Sequence, residues 1–66
     1  MNWVEMVKVC DSPETYMRIL HEVHADNVFN EGRRYIIIEY TKDVCKHRPD
    51  LSGVLLDLLN KFLDTF

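Results

Sequence analysis

Five side chains in this sequence are of types that bind metals or attack carbonyl carbons: Cys10, His21, His24, Cys45 and His47. They form a His-x-x-His and a Cys-x-His. Structural zinc takes two close pairs with two to four residues between ligands, so Cys-x-His is too tight, and the chain has no Cys-x-x-Cys. On a helix, positions three apart differ by about 60°, which puts His24 at the edge of an apolar face and His21 toward solvent. Nucleophilic catalysis needs a cysteine beside a histidine and an orienting carboxylate. A chain of 66 residues leaves little room for both a core and a concave substrate pocket. Glu39 with Asp43 and Asp57 with Asp64 read as solvated helix faces rather than acid–base pairs. Gly32 and Gly53 are the only glycines, so there is no phosphate-binding loop. The expectation is a chain with no catalytic residues, no metal and no cofactor, which is not an enzyme.

The cations offer a second kind of chemistry. Arg33, Arg34, Lys42, Lys46 and Arg48, with Tyr35 and Tyr40 between them, supply positive charge and stacking rings for a nucleic acid. Yet the chain as a whole carries −3, which argues against broad, non-specific nucleic-acid binding. Charge is unevenly spread: residues 1–31 carry −4, residues 32–48 carry +3 and residues 49–66 carry −2. As a helix, the middle segment scatters its cations over several directions. Shielding that helix and neutralising the acidic flanks is the simpler role, and a nucleic-acid adaptor remains the alternative.

The elements that must hold these residues follow from hydrophobic spacing. Hydrophobic residues make up 47% and charged residues 29%, a globular balance that fits one small domain over 1–66. A core this small is marginal without a disulfide, a metal or a partner. Cys10 and Cys45 permit a single bridge, but no secretory signal is visible, so an intracellular chain with reduced thiols is expected. Tyr35-Ile36-Ile37-Ile38 is the longest membrane-like run, far short of the roughly 20 residues a span requires.

Asn2, followed by Glu5 three positions on, suits the start of a helix over 3–10, with Trp3, Met6, Val7 and Cys10 in one arc. Ser12-Pro13-Glu14 is a strong helix start: a capping hydroxyl, a proline suited to the first helical position and an acid facing the positive end of the dipole. Tyr16, Met17, Ile19, Leu20, Val23 and His24 then share one side of a helix over 13–25. Glu14, Arg18, His21 and Glu22 share the other, with Glu14–Arg18 and Arg18–Glu22 at ion-pair spacing. Ala25 to Gly32 is a connection into which Val28 and Phe29 are expected to drop as a core plug.

The segment after it reads two ways. Its isoleucines and tyrosines have strand character. A helix over 31–47, however, puts Arg33, Ile37, Tyr40, Val44 and His47 on one stripe and gives Val44 and Cys45 a buried role. His47-Arg48-Pro49-Asp50 breaks the chain. Asp50 or Ser52 is expected to cap a last helix over 50–66. The favoured fold is all-α, a small antiparallel bundle of about four short helices. The alternative is an α+β fold, a β-α-β-β-α sandwich with a strand at 34–41.

The last helix carries the signal for function. Leu51, Val54, Leu55, Leu56, Leu58, Leu59, Phe62, Leu63 and Phe66 cover about 200° of its circumference, against the 100° or so that a surface helix needs. Either that helix is touched on two sides by its neighbours or part of its arc is covered by another chain. The expected function is a non-catalytic protein–protein interaction module, a small regulator or assembly subunit. Its interface would draw on Trp3, Leu55, Leu56, Leu59, Phe62, Leu63 and Phe66. Its partner would be another protein or a second copy of itself, with no membrane.

Overall fold

In the computed structural model of the chain, residues 2–25 and 32–64 are described, without the side chain of Arg33. Helix α1 spans Trp3–Lys8, α2 Pro13–Ala25, α3 Arg33–His47 and α4 Ser52–Leu63, with a 3-10 turn, Pro49–Leu51, between the last two. No strand occurs among the described residues. The chain is a small all-α bundle, and the α+β alternative is overturned. The Val28 and Phe29 plug lies outside the described residues.

Local chemistry sets each start. The Asn2 side chain accepts from the Glu5 amide at 2.9 Å, the N-cap bond expected of it. Ser12 accepts from the Thr15 amide at 3.2 Å, and Pro13 takes the first helical position, where its missing N–H costs nothing. The start of α4 differs from expectation, because neither Asp50 nor Ser52 caps it. Arg48 holds both oxygens of Asp50, at 3.0 and 2.9 Å. The Ser52 hydroxyl instead donates to the Pro49 carbonyl at 2.9 Å, closing the 3-10 turn. The ion pairs expected along α2 are also absent: Arg18 pairs with neither Glu14 nor Glu22 among the described contacts. Such exposed pairs contribute only a few tenths of a kcal/mol each, too little to order long side chains reliably.

Helix α3 is the element on which the others meet, packing against α1, α2, the 3-10 turn and α4. Ile37, Tyr40, Thr41 and Val44 recur at helical spacing on its inner face and are buried. That burial explains why the strand propensity of the isoleucines is overridden: an intrinsic preference of well under 1 kcal/mol per residue yields to side chains that each gain about 1.5–3 kcal/mol when buried. Opposite them lie Tyr16, Ile19, Leu20 and Val23 of α2 and Leu55, Leu59 and Phe62 of α4, joined by Cys10 from the connection after α1.

A short polar chain crosses this core. The Thr41 hydroxyl donates to the Ile37 carbonyl at 2.8 Å. It has one hydrogen, so in the 2.5 Å contact between Tyr16 Oη and Thr41 Oγ1 the tyrosine must donate. Tyr40 donates to the Met6 carbonyl at 2.7 Å, tying α1 to α3, and its ring stacks nearly parallel to Tyr16 at 6.2 Å. Burial pushes the Tyr16 phenol up to about 12 and raises Tyr40 as well. Both hydroxyls are therefore neutral donors across the physiological range.

Candidate interaction site

The expected interface residues divide once placed. Leu55, Leu59 and Phe62 are buried in the chain's own core, and Leu63 is half-buried against it. Helix α4 packs on both α2 and α3, so two neighbours consume most of its apolar arc. Two side chains stay out: Leu56, 47% exposed, and Val54, 43% exposed. At 100° per residue they flank the buried stripe on opposite sides, about 160° apart, and so do not form one patch. Phe66 lies outside the described residues.

Trp3 is the expected residue that the structure places at a formed surface feature. It is 38% exposed, and the next residue, Val4, is 57% exposed. The indole Nε1 donates to Asp43 Oδ2 at 2.6 Å, and the ring meets Tyr40 edge-on with centroids 5.8 Å apart. Two contacts from α3 thus fix a large ring that a terminal segment alone would leave loose. Between α1 and the C-terminal half of α3 runs a solvent-open groove of about 380 Å³, lined by Trp3, Val4, Val7, Lys8, Asp43, Lys46 and His47. Its lining combines apolar side chains with two lysines and one acid. Lys8 and Lys46 lie in the last turns of their helices, where a cation faces the negative pole of the dipole.

Two of the cations expected for nucleic acid have acidic partners within the chain. Lys42 pairs with Glu39 at 3.3 Å, and Arg48 is occupied by Asp50. That contact holds the Asp50 carboxyl below its ordinary range and raises the Arg48 guanidinium. Arg34 is exposed near the start of α3, far along the helix from Lys46, which lines the groove. The Arg33 side chain lies outside the described residues.

Among the described residues no three His, Cys, Asp or Glu side chains gather as a metal-binding set. Both cysteines are free; Cys10 is fully buried and Cys45 half-buried. Burial raises both thiols, leaving less of the thiolate that nucleophilic attack requires. His21 and His24 instead meet the edge of Phe62, at ring distances of 5.2 and 5.8 Å, and cover that end of the core. No helix among the described residues is long and apolar enough to cross a membrane.

From sequence, Trp3 is expected in a protein interface and Lys46 in the nucleic-acid alternative, whereas the structure brings both to one groove with Val4, Val7, Lys8, Asp43 and His47. The available signal was Val4, an apolar residue on a short helix outside the arc of Trp3, Met6 and Val7. The pairing of Trp3 with Asp43 spans forty positions and has no local signature. Comparison with protein-family models, curated proteins and solved structures finds no match for this chain.

Proposed function

We propose that this chain is a non-catalytic protein-interaction module whose docking surface is the groove between α1 and α3, with the Leu56 edge of α4 as a lesser contact. One observation carries the reading: Trp3 and Val4 stand at the surface beside a groove, and Trp3 is already locked there by Asp43 and Tyr40. Aromatic anchors held in one rotamer are the side chains that most often dominate binding energy, because little entropy remains to be lost. The raised thiols, of which Cys10 is fully buried, are poor nucleophiles, which supports a role without catalysis. A small regulator or assembly subunit needs no more than such a surface.

Val4→Asp tests this directly. Val4 sits in the first turn of α1, where an acid suits the dipole, so the variant should fold like the parent. Quantitative affinity capture from the native cell, comparing parent, Val4→Asp and Leu56→Asp, should show a protein lost with Val4→Asp and retained at a reduced level with Leu56→Asp. An identical set of bound proteins from parent and Val4→Asp would refute the groove as the docking surface.

A further inference from the structure

Resting on that reading, we infer that the groove receives an acidic amphipathic helix from a different protein, its apolar face seated over Val4 and Val7 and its carboxylates paired with Lys8 and Lys46. The charge pattern specifies this occupant. Lys42, Arg48 and Lys61 each have an ion-pair partner within the chain. Lys8 and Lys46 have none among the described residues, and both line the groove. Asp43 offsets them only in part, since it brings one negative charge against their two. In a chain of −3, the groove is thus locally basic and lined with apolar side chains. Complementary charge of this kind selects among partners and steers their encounter.

The shape points to a helix. An open trough between two helices suits an apolar face with anchors at i, i+3, i+4 and i+7, and no sheet edge among the described residues offers strand addition. A nucleic acid fits less well: Asp43 would face its phosphates, and Trp3 is held edge-on to Tyr40 with its N–H engaged. A second copy fits poorly too. The acids Glu14 and Glu22 of α2 stand on its exposed face, while its apolar side chains Tyr16, Ile19, Leu20 and Val23 are buried; α4 exposes Leu56 and Val54 on opposite flanks, and its Asp57 is paired with Lys61.

Trp3 is the only tryptophan, so its fluorescence reports on the groove. The probe is a synthetic peptide of about four helical turns with leucines at i, i+3, i+4 and i+7 and glutamates alongside; a second peptide carries lysines in their place. The glutamate peptide should shift Trp3 emission to the blue and bind at least tenfold tighter than the lysine peptide, less so as salt rises. Lys8→Glu/Lys46→Glu should reverse that order. Lys8→Gln/Lys46→Gln, which adds no acid at a helix end, should abolish the preference while circular dichroism stays unchanged. Equal binding of both peptides would overturn the acidic partner and leave the docking groove standing. Binding of neither, in a chain whose native partner is still lost with Val4→Asp, would also overturn the inference alone. A Trp3 response to single-stranded DNA or to anionic vesicles in place of the glutamate peptide would overturn it in favour of a phosphate ligand. Self-association that buries Trp3 would overturn it in favour of a second copy.

Discussion

Removing the hydroxyl at position 41 tests the hydrogen-bond assignment inside the core. Thr41→Val keeps shape and volume but takes away the acceptor for Tyr16 and the donor to the Ile37 carbonyl. The Ile37 carbonyl keeps its place in the helix ladder, whereas the Tyr16 hydroxyl is left as a buried donor without an acceptor. Stranding such a group costs about 1–3 kcal/mol, so a loss of about 2 kcal/mol is expected. Tyr16→Phe removes the donor instead. Thr41 still donates to Ile37, only one net hydrogen bond disappears, and the expected loss is about 1 kcal/mol. With both changed, neither side is stranded. The double variant should lie about 2 kcal/mol below the parent rather than 3, a coupling of about 1 kcal/mol. Urea denaturation resolves this: with a slope of about 1 kcal/mol/M for a domain this small, each kcal/mol moves the midpoint by about 1 M. Strictly additive losses, or a Thr41→Val chain as stable as the parent, would refute the hydrogen bond between Tyr16 and Thr41.

The other predictions concern packing, backbone and pH. Leu59→Asp should abolish folding, because it buries a carboxylate in the apolar core, whereas Leu56→Asp should leave the helical circular dichroism intact; equal effects would contradict the burial pattern. Gly53→Ala should raise stability by about 0.5–1 kcal/mol, or about 4–7 °C in Tm, since Gly53 is helical, has no positive φ and has open space where the methyl would stand; a lower Tm would refute this. Raising the pH should unfold the chain. A phenol whose pKa is raised by burial stabilises the fold fully below its ordinary value near 10, and the contribution is lost as pH climbs to about 12. For Tyr16 that loss is about 2–3 kcal/mol, and Tyr40, also raised, adds to it. Helicity that holds from pH 10 to 12, or a Tyr16→Phe chain that loses as much stability over that interval as the parent, would contradict it.

Much of the fold was legible because its signals are local. Ser12-Pro13-Glu14 announces α2 without reference to anything distant. The inner face of α2 follows from spacing alone, since burial repeats with the helical period. Where the reading was ambiguous or wrong, a competing partner decided the outcome. At 34–41 the β-branched run has strand character, and the helix is favoured only when Val44 and Cys45 are counted, since a helix gives both a buried role. At α4, either acid or hydroxyl could cap the helix, but Arg48 captures the carboxylate of Asp50 and the Pro49 carbonyl captures Ser52. Capping competes with every other donor and acceptor nearby, and the sequence does not rank them.

The candidate site was less legible, for a reason that bears on what it does. Counting apolar residues on α4 overstated its free surface, because a helix with neighbours on two sides can bury twice the arc of a surface helix. The count on α1 understated it. Val4 reads as a minor apolar residue on a six-residue helix, and its exposure emerges only when α1 docks on α3 through Trp3, Tyr40 and Asp43. Those same contacts hold the indole at the surface and place one acid, Asp43, beside the two lysines Lys8 and Lys46. A helix this short is marginal in isolation. Holding α1 on α3 by polar contacts at the groove edge, while Trp3 and Val4 remain accessible, spends on presentation what a purely structural segment would have spent on burial. That asymmetry favours a surface kept for a partner over one that the core failed to cover.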